Sequence, residues 1–115
     1  MENLTRYQQI AEEVVAHFYK LSQSAKDAEI EDQLVIDHLH GHYFILHVGW
    51  QGLKHIYGSP LHLDVKDGKI WIQQDLIDVP GGIATHLTQR GVPQTDIVLA
   101  FHAPYKRPYT GFAVA

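Results

Sequence analysis

The 115-residue chain contains no cysteine. Disulfides, thiolate metal sites and cysteine nucleophiles are thereby removed together, and a reducing, cytoplasmic setting is the expectation. No run approaches the ~18 consecutive apolar residues of a membrane helix. The opening stretch MENLTRYQQIAEEVVAHF lacks the basic start and apolar core of a signal peptide, so no membrane association is expected. Basic charge is also scarce. Nine Lys and Arg stand against thirteen Asp and Glu, a formal charge of −4, and a general nucleic-acid binder usually shows a basic excess gathered on one face. Nine histidines stand outside that balance, and an unperturbed imidazole titrates near 6.5. Linkers, internal repeats and low-complexity stretches are missing as well. A single domain over residues 1–115 is expected, within the usual range of roughly 100–150 residues.

What is present is organised around Ser59 to Asp75, SPLHLDVKDGKIWIQQD. Asp67-Gly68 between alternating apolar residues signals a two-residue hairpin, because a type I′ turn needs positive φ at both central positions. That turn sets the register: Lys66 opposite Lys69, Val65 opposite Ile70, Asp64 opposite Trp71, Leu63 opposite Ile72 and His62 opposite Gln73. Successive pairs alternate between the faces of the sheet. One face is dry, with Leu61, Leu63, Val65, Ile70 and Ile72. The other carries His62, Asp64, Lys66, Lys69, Trp71, Gln73 and Asp75.

Around the hairpin the chain reads as an α+β domain. Leu4, Tyr7, Ile10, Ala11, Val14, Phe18 and Leu21 recur at helical spacing and predict an amphipathic helix over roughly 3 to 23. Asn3 is its expected N-cap, with Thr5 and Gln8 as an alternative capping box. SQSAKDAEIED follows as loop. Gln33 to His38 and Tyr43 to Trp50 read as two strands joined near Gly41. Their two faces both carry apolar residues, which predicts a sheet covered on both sides by helices or by another chain. Pro60 marks an edge, a bulge or a strand start. A second helix is expected from Asp78-Val79-Pro80 to about Arg90, with Gly91 just beyond it. Ile97 to His102 reads as a short strand and APYKRPYTGFAVA as an irregular tail against the body. The architecture expected is two helices and an antiparallel sheet of about four strands with the Asp-Gly hairpin at its centre.

Several constellations bear on chemistry. His38, His40 and His42 alternate, and on one strand they would share a face suited to Zn²⁺ or Cu²⁺; a turn at Gly41 would scatter them. His62 and Asp64 share a face, with Trp71 across from Asp64. Such a pair can orient a base, or ligate a metal if His47 from the neighbouring strand joins it. Gly81-Gly82 at a helix start would admit an anion to the exposed N–H groups. Lys106 and Arg107 between Tyr105 and Tyr109 have the makings of a nucleic-acid contact. No nucleophile stands in a recognisable setting, and no catalytic residue, metal or cofactor is assigned. Trp and Tyr among polar neighbours favour a protein-contact surface.

Four stretches, LHVGW (46–50), HLDVKDGKIWIQ (62–73), GVPQTDIVLAFHAPYKR (91–107) and TGFAVA (110–115), together with the leading helix, resemble the XisI family of fdxN element excision controlling factors. The resemblance implies a regulatory accessory protein of a cyanobacterial type. Such a protein would act with a XisH-like partner in permitting site-specific recombination by a separate enzyme, with DNA contacted only indirectly. The residues carried over with the motifs are His47, Trp50, His62, Asp64, Asp67, Gly68, Lys69, Trp71, Gln73 and His102. On this reading His47, His62, Asp64, Trp71, Gln73, Lys106 and Arg107 form the partner surface, and a homo-oligomer is compatible with it. A metal-assisted hydrolase and a direct DNA-binding factor are the rival readings.

Overall fold

Apolar residues at every second position along four successive strands require a layer to cover them, and two helices supply it. The computed structural model describes residues 2–24 and 29–115, the side chains of residues 2, 3 and 24 aside. Helix α1 (Glu2–Ser24) is followed by β1 (Ile30–Asp37), β2 (His42–Gln51), β3 (Lys54–Lys66), β4 (Lys69–Asp75), α2 (Gly82–Gln89) and β5 (Ile97–Leu99), with 3₁₀ turns at Gln94–Asp96 and Pro104–Tyr109. The strands form one sheet in the order β1-β2-β3-β4-β5. The first four are antiparallel and β5 runs parallel to β4, so the sheet is mixed and has one strand more than the expected four.

Both helices lie on the same face. From α1 the stripe Tyr7, Ile10, Ala11, Val14, Val15 and Phe18 is buried against Tyr43, Ile45, Leu61, Leu63, Val65, Ile70 and Ile72, with Ile83 and Leu87 of α2 completing the core. Each fully buried Leu or Ile here contributes roughly 1.5–3 kcal/mol. Tyr7 closes one end of the layer, its hydroxyl donating to the Asp96 carboxylate, and burial followed by that carboxylate pushes the phenol up to about 12. Among the described residues the opposite face has no α-helix. Val35, Phe44, Leu46 and Val48 stand there half-buried, while Trp50 is 54% and Tyr57 69% exposed. The expected cover on both sides is therefore supplied on one side only, among the described residues.

Two bulges interrupt the ladders. The β2–β3 register shifts between Ile45 and His47, which places the extra β3 residue at Ser59-Pro60, where a residue without an N–H is tolerated. The β3–β4 register shifts after Leu63, so His62 faces Gln74 and Leu61 faces Asp75. The expected His62–Gln73 pair does not form; Gln73 is the extra residue. Its insertion reverses the facing of the residues beyond it, and Asp75 turns to the helix side. There Asp75 accepts from the N–H of Ile83 at 2.9 Å and of Ile77 at 3.2 Å.

Other departures have local causes. Gly81 and Gly82 both take positive φ, which delays α2 to Gly82 and leaves Asp78-Val79-Pro80 in the preceding connection. The anion at the exposed N–H groups of α2 is the protein's own Asp75. At the other end of the chain α1 begins before Thr5, and Gln8 donates to the His38 carbonyl at 3.0 Å, so the Thr5–Gln8 box does not form. The Asn3 side chain lies outside the described set, as do residues 25–28 of the expected loop, and the strand after that loop starts already at Ile30. The tail closes the β5 edge, with Ala113 N–H donating to Ile97 O at 2.8 Å.

Gly41 joins the β1–β2 turn to β3. Its φ is +75°, and a Cβ there would sit 2.4 Å from the Val65 carbonyl oxygen, while its own carbonyl accepts from Val65 N–H at 2.8 Å. Gly68 shares the same φ but has open space around it. Gly41→Ala should therefore cost more than Gly68→Ala, about 3 kcal/mol against about 1, read as a fall in Tm of roughly 10 °C or more for Gly41→Ala. Equal losses in the two variants would remove the close approach to Val65 as the cause.

Candidate functional site

Asp67 and Gly68 have φ of 54° and 75°, the left-handed pair a type I′ turn requires. The register they set places Asp64 opposite Trp71 on the helix-free face. On the other side of Asp64, β2 brings His42 into register with it. The Asp64 carboxylate becomes the hub of a polar cluster. His42 Nδ1 lies 2.7 Å and His62 Nε2 2.8 Å from its Oδ1. Gln73 Nε2 donates to Oδ2 at 3.1 Å, within reach because the bulge carries Gln73 there. The Asp64 side chain is 13% exposed, against 47% for His42 and 31% for His62.

This environment acts on the carboxyl in opposing directions. Burial pushes it upward, but hydrogen bonds from His62 and His42 and their charge outweigh burial and hold Asp64 below its ordinary value. Flanking the hub, Trp71 donates from Nε1 to the Lys66 carbonyl at 3.2 Å. Lys66 Nζ lies 4.3 Å and the Arg107 guanidinium 5.8 Å from the Trp71 ring centroid, distances at which a cation is attracted to the ring. Phe44 packs beside His62 with centroids 5.0 Å apart.

Of the residues singled out in the sequence, His62, Asp64, Trp71 and Gln73 come together here, and Arg107 reaches the same patch. His47 does not. It sits on the helix side of β2 with Nδ1 bonded to the Asp32 carboxylate, because alternation from Tyr43 and Ile45 carries it there. Arg107 is held by its own tail, donating from Nε to His102 O at 3.0 Å and from Nη1 and Nη2 to Val114 O and Ala100 O at 3.3 and 3.4 Å. Lys106 Nζ lies 5.9 Å from the exposed Tyr105 ring, away from the cluster's hydrogen bonds.

The alternating histidines are scattered by the turn at Gly41. His38 bridges Glu12 at 2.6 Å and the Tyr43 hydroxyl at 2.9 Å. His40 lies 2.9 Å from Asp37. His42 alone joins Asp64, and sequence reasoning missed it as a member of this cluster. The turn residue Gly41 carried the missing signal: a tight connection there places His42 first on β2, directly across from the hairpin strand.

A family model described as XisI protein matches residues 1–114. Two solved structures from Anabaena variabilis ATCC 29413 share the fold over nearly the whole of both chains. One, a XisI-like protein, is 44% identical with a TM-score of 0.87, covering 97% of this chain and 99% of its own. The other, described as fdxN element excision controlling factor XisI, is 39% identical with a TM-score of 0.87, covering 98% and 99%. A search of curated proteins finds no match.

The Asp64 network makes a pH-dependent contribution to stability. Because the folded carboxyl lies below its unfolded value of 3.8, its contribution is full above that value and disappears as pH falls through the folded pKa. Urea unfolding should show Asp64→Asn less stable than the parent by about 1–3 kcal/mol at neutral pH. The two curves should converge as acidification takes the pH below 3.8 and through the lowered folded pKa. A gap that stays constant into strong acid would mean the loss at neutral pH is not electrostatic.

Proposed function

The chain belongs to the XisI family, and from that premise we propose that it is a non-enzymatic regulatory factor controlling excision of a DNA element of the fdxN type. Its mode of action is to bind a XisH-like protein in the cytoplasm through the helix-free sheet face. The observation that carries the reading is the 39% identity, over 98% of this chain, to a protein described as the fdxN element excision controlling factor. The chemistry of the face supports the mode of action. Trp71 has two cations near its ring and stands beside the polar cluster centred on Asp64, and half-buried Phe44, Leu46 and Val48 lie on the same face. Aromatic anchors with a polar surround are the composition that concentrates binding energy in protein interfaces.

Contact with DNA is indirect on this reading. The net charge is −4, and the Arg107 guanidinium is engaged by three carbonyls of its own segment, so it offers phosphate few free donors.

Co-expression with a XisH-type protein should yield a complex that survives size-exclusion chromatography. Trp71→Ala should weaken it roughly 30-fold or more, as loss of an interface hot spot does, while the variant keeps the parent's Tm within a few degrees. Failure to form any complex would sink the partner assignment. A Trp71→Ala complex of unchanged affinity would move the interface off this face. Retention of the isolated chain on duplex DNA with a steep salt dependence would favour direct binding instead.

A further inference from the structure

His42, His62 and Asp64 come from two strands, yet one donor atom from each lies within 4.8 Å of the other two. Among the described residues they are the group of histidine, aspartate or glutamate side chains gathered closely enough to hold a metal. We propose that these three residues form a site for one divalent transition-metal ion of the zinc type.

The donor set selects the metal class. Two imidazole nitrogens and one carboxylate oxygen suit Zn²⁺ and its neighbours in the first row, whereas Mg²⁺ and Ca²⁺ take oxygen donors. Zinc bonds to such donors are about 2.0–2.2 Å, which for a tetrahedron sets donors roughly 3.4 Å apart. His42 Nδ1 and His62 Nε2 already stand 2.7 and 2.8 Å from Asp64 Oδ1, so small side-chain rotations admit the ion in place of the shared protons. The supporting contacts are also those of a metal site. Gln73 Nε2 holds the second carboxylate oxygen at 3.1 Å, the outer hydrogen bond that orients a ligating carboxylate. Phe44 against the His62 ring limits its rotation. Three protein donors leave a coordination position for water or for a donor from outside the chain.

This site differs from the His38-His40-His42 run that the sequence displays. His38 is turned to Glu12 and His40 to Asp37, and only His42 is shared. The inference does not depend on the partner reading, since the isolated chain suffices to test it.

Isothermal titration of the untagged, chelator-treated protein with Zn²⁺ should give a stoichiometry of one, and excess Mg²⁺ should leave it unchanged. Co²⁺ should report the same site through its visible absorption. His62→Gln and His42→Gln should each weaken Zn²⁺ binding by more than the roughly 10–100-fold that loss of an outer-shell partner costs, and His38→Gln should have little effect. His42 is exposed and His62 half-buried, and a cooperative thermal transition above the assay temperature confirms that each variant is folded. Absence of Zn²⁺ binding to the parent chain overturns the site. So does wild-type affinity in folded His62→Gln and His42→Gln, or a loss in His38→Gln as large as theirs.

Discussion

The facing of strand β4 decides what each layer of this protein contains. The Asp67-Gly68 turn fixes the register at one end, so Ile70 and Ile72 enter the core and Trp71 faces away from it. Without interruption, Gln73 and Asp75 would join Trp71 on the open face. The bulge at Gln73 breaks that parity once. Asp64 then keeps its amide partner on the open face, while Asp75 crosses to the helix layer and receives the N–H of Ile83 at the start of α2. One extra residue thus assigns the two carboxylates of the hairpin to different tasks. A one-residue slip of a whole strand would have exchanged the faces entirely; the bulge confines that exchange to the last two residues, where the exchange is useful.

Local chemistry accounts for how much of this was legible in the sequence. The hairpin, its dry face, the leading helix and the α+β class come from period and turn residues, and the structure contains them. The four pairs nearest the Asp-Gly turn stand as expected because an I′ turn constrains them directly. Beyond Leu63 the constraint weakens. No residue type announces the bulge at Gln73, and with it goes the expected position of Asp75. The start of the second helix is displaced for a related reason. Pro80 is a favoured first helical residue in general, but two successive glycines in the left-handed region, at φ of 75° and 71°, postpone the helix beyond it. Likewise β5 is recognisable as a short apolar run, whereas its parallel pairing depends on the crossover through α2 and has no local signature.

The histidines show the same limit more sharply. In the sequence His38, His40 and His42 form the conspicuous group. In the structure each has a different acidic partner, Glu12, Asp37 and Asp64 respectively, because the backbone reverses at Gly41. Proximity in sequence is dissolved by the turn, and a new proximity, His42 with His62, is created by strand pairing. What the sequence could supply was the alternation that set His62 and Asp64 on one face. What it could not supply was which neighbouring strand lay beside them and in what register.

The Asp64 cluster has no sufficient explanation in stability. A carboxylate at 13% exposure in the middle of a sheet face loses hydration, and paired charges in such places often do no better than apolar residues of the same volume. The neighbours could have accommodated that alternative: Phe44, Leu46 and Val48 on β2 already make an apolar strip beside it. A leucine or valine at position 64 would have extended the strip towards Trp71. Instead three side chains from three strands converge on one carboxylate, and the two imidazoles present nitrogen donors at a partly exposed point. Removing any one partner leaves the others imperfectly bonded in a partly dehydrated place, so the cluster is maintained as a unit. An arrangement that offers little stability over an apolar one, yet holds its carboxylate through three hydrogen bonds and is reachable from outside, is explained by what it meets there. The cations around Trp71 lie on the same patch, so any ligand or partner that contacts one meets the other.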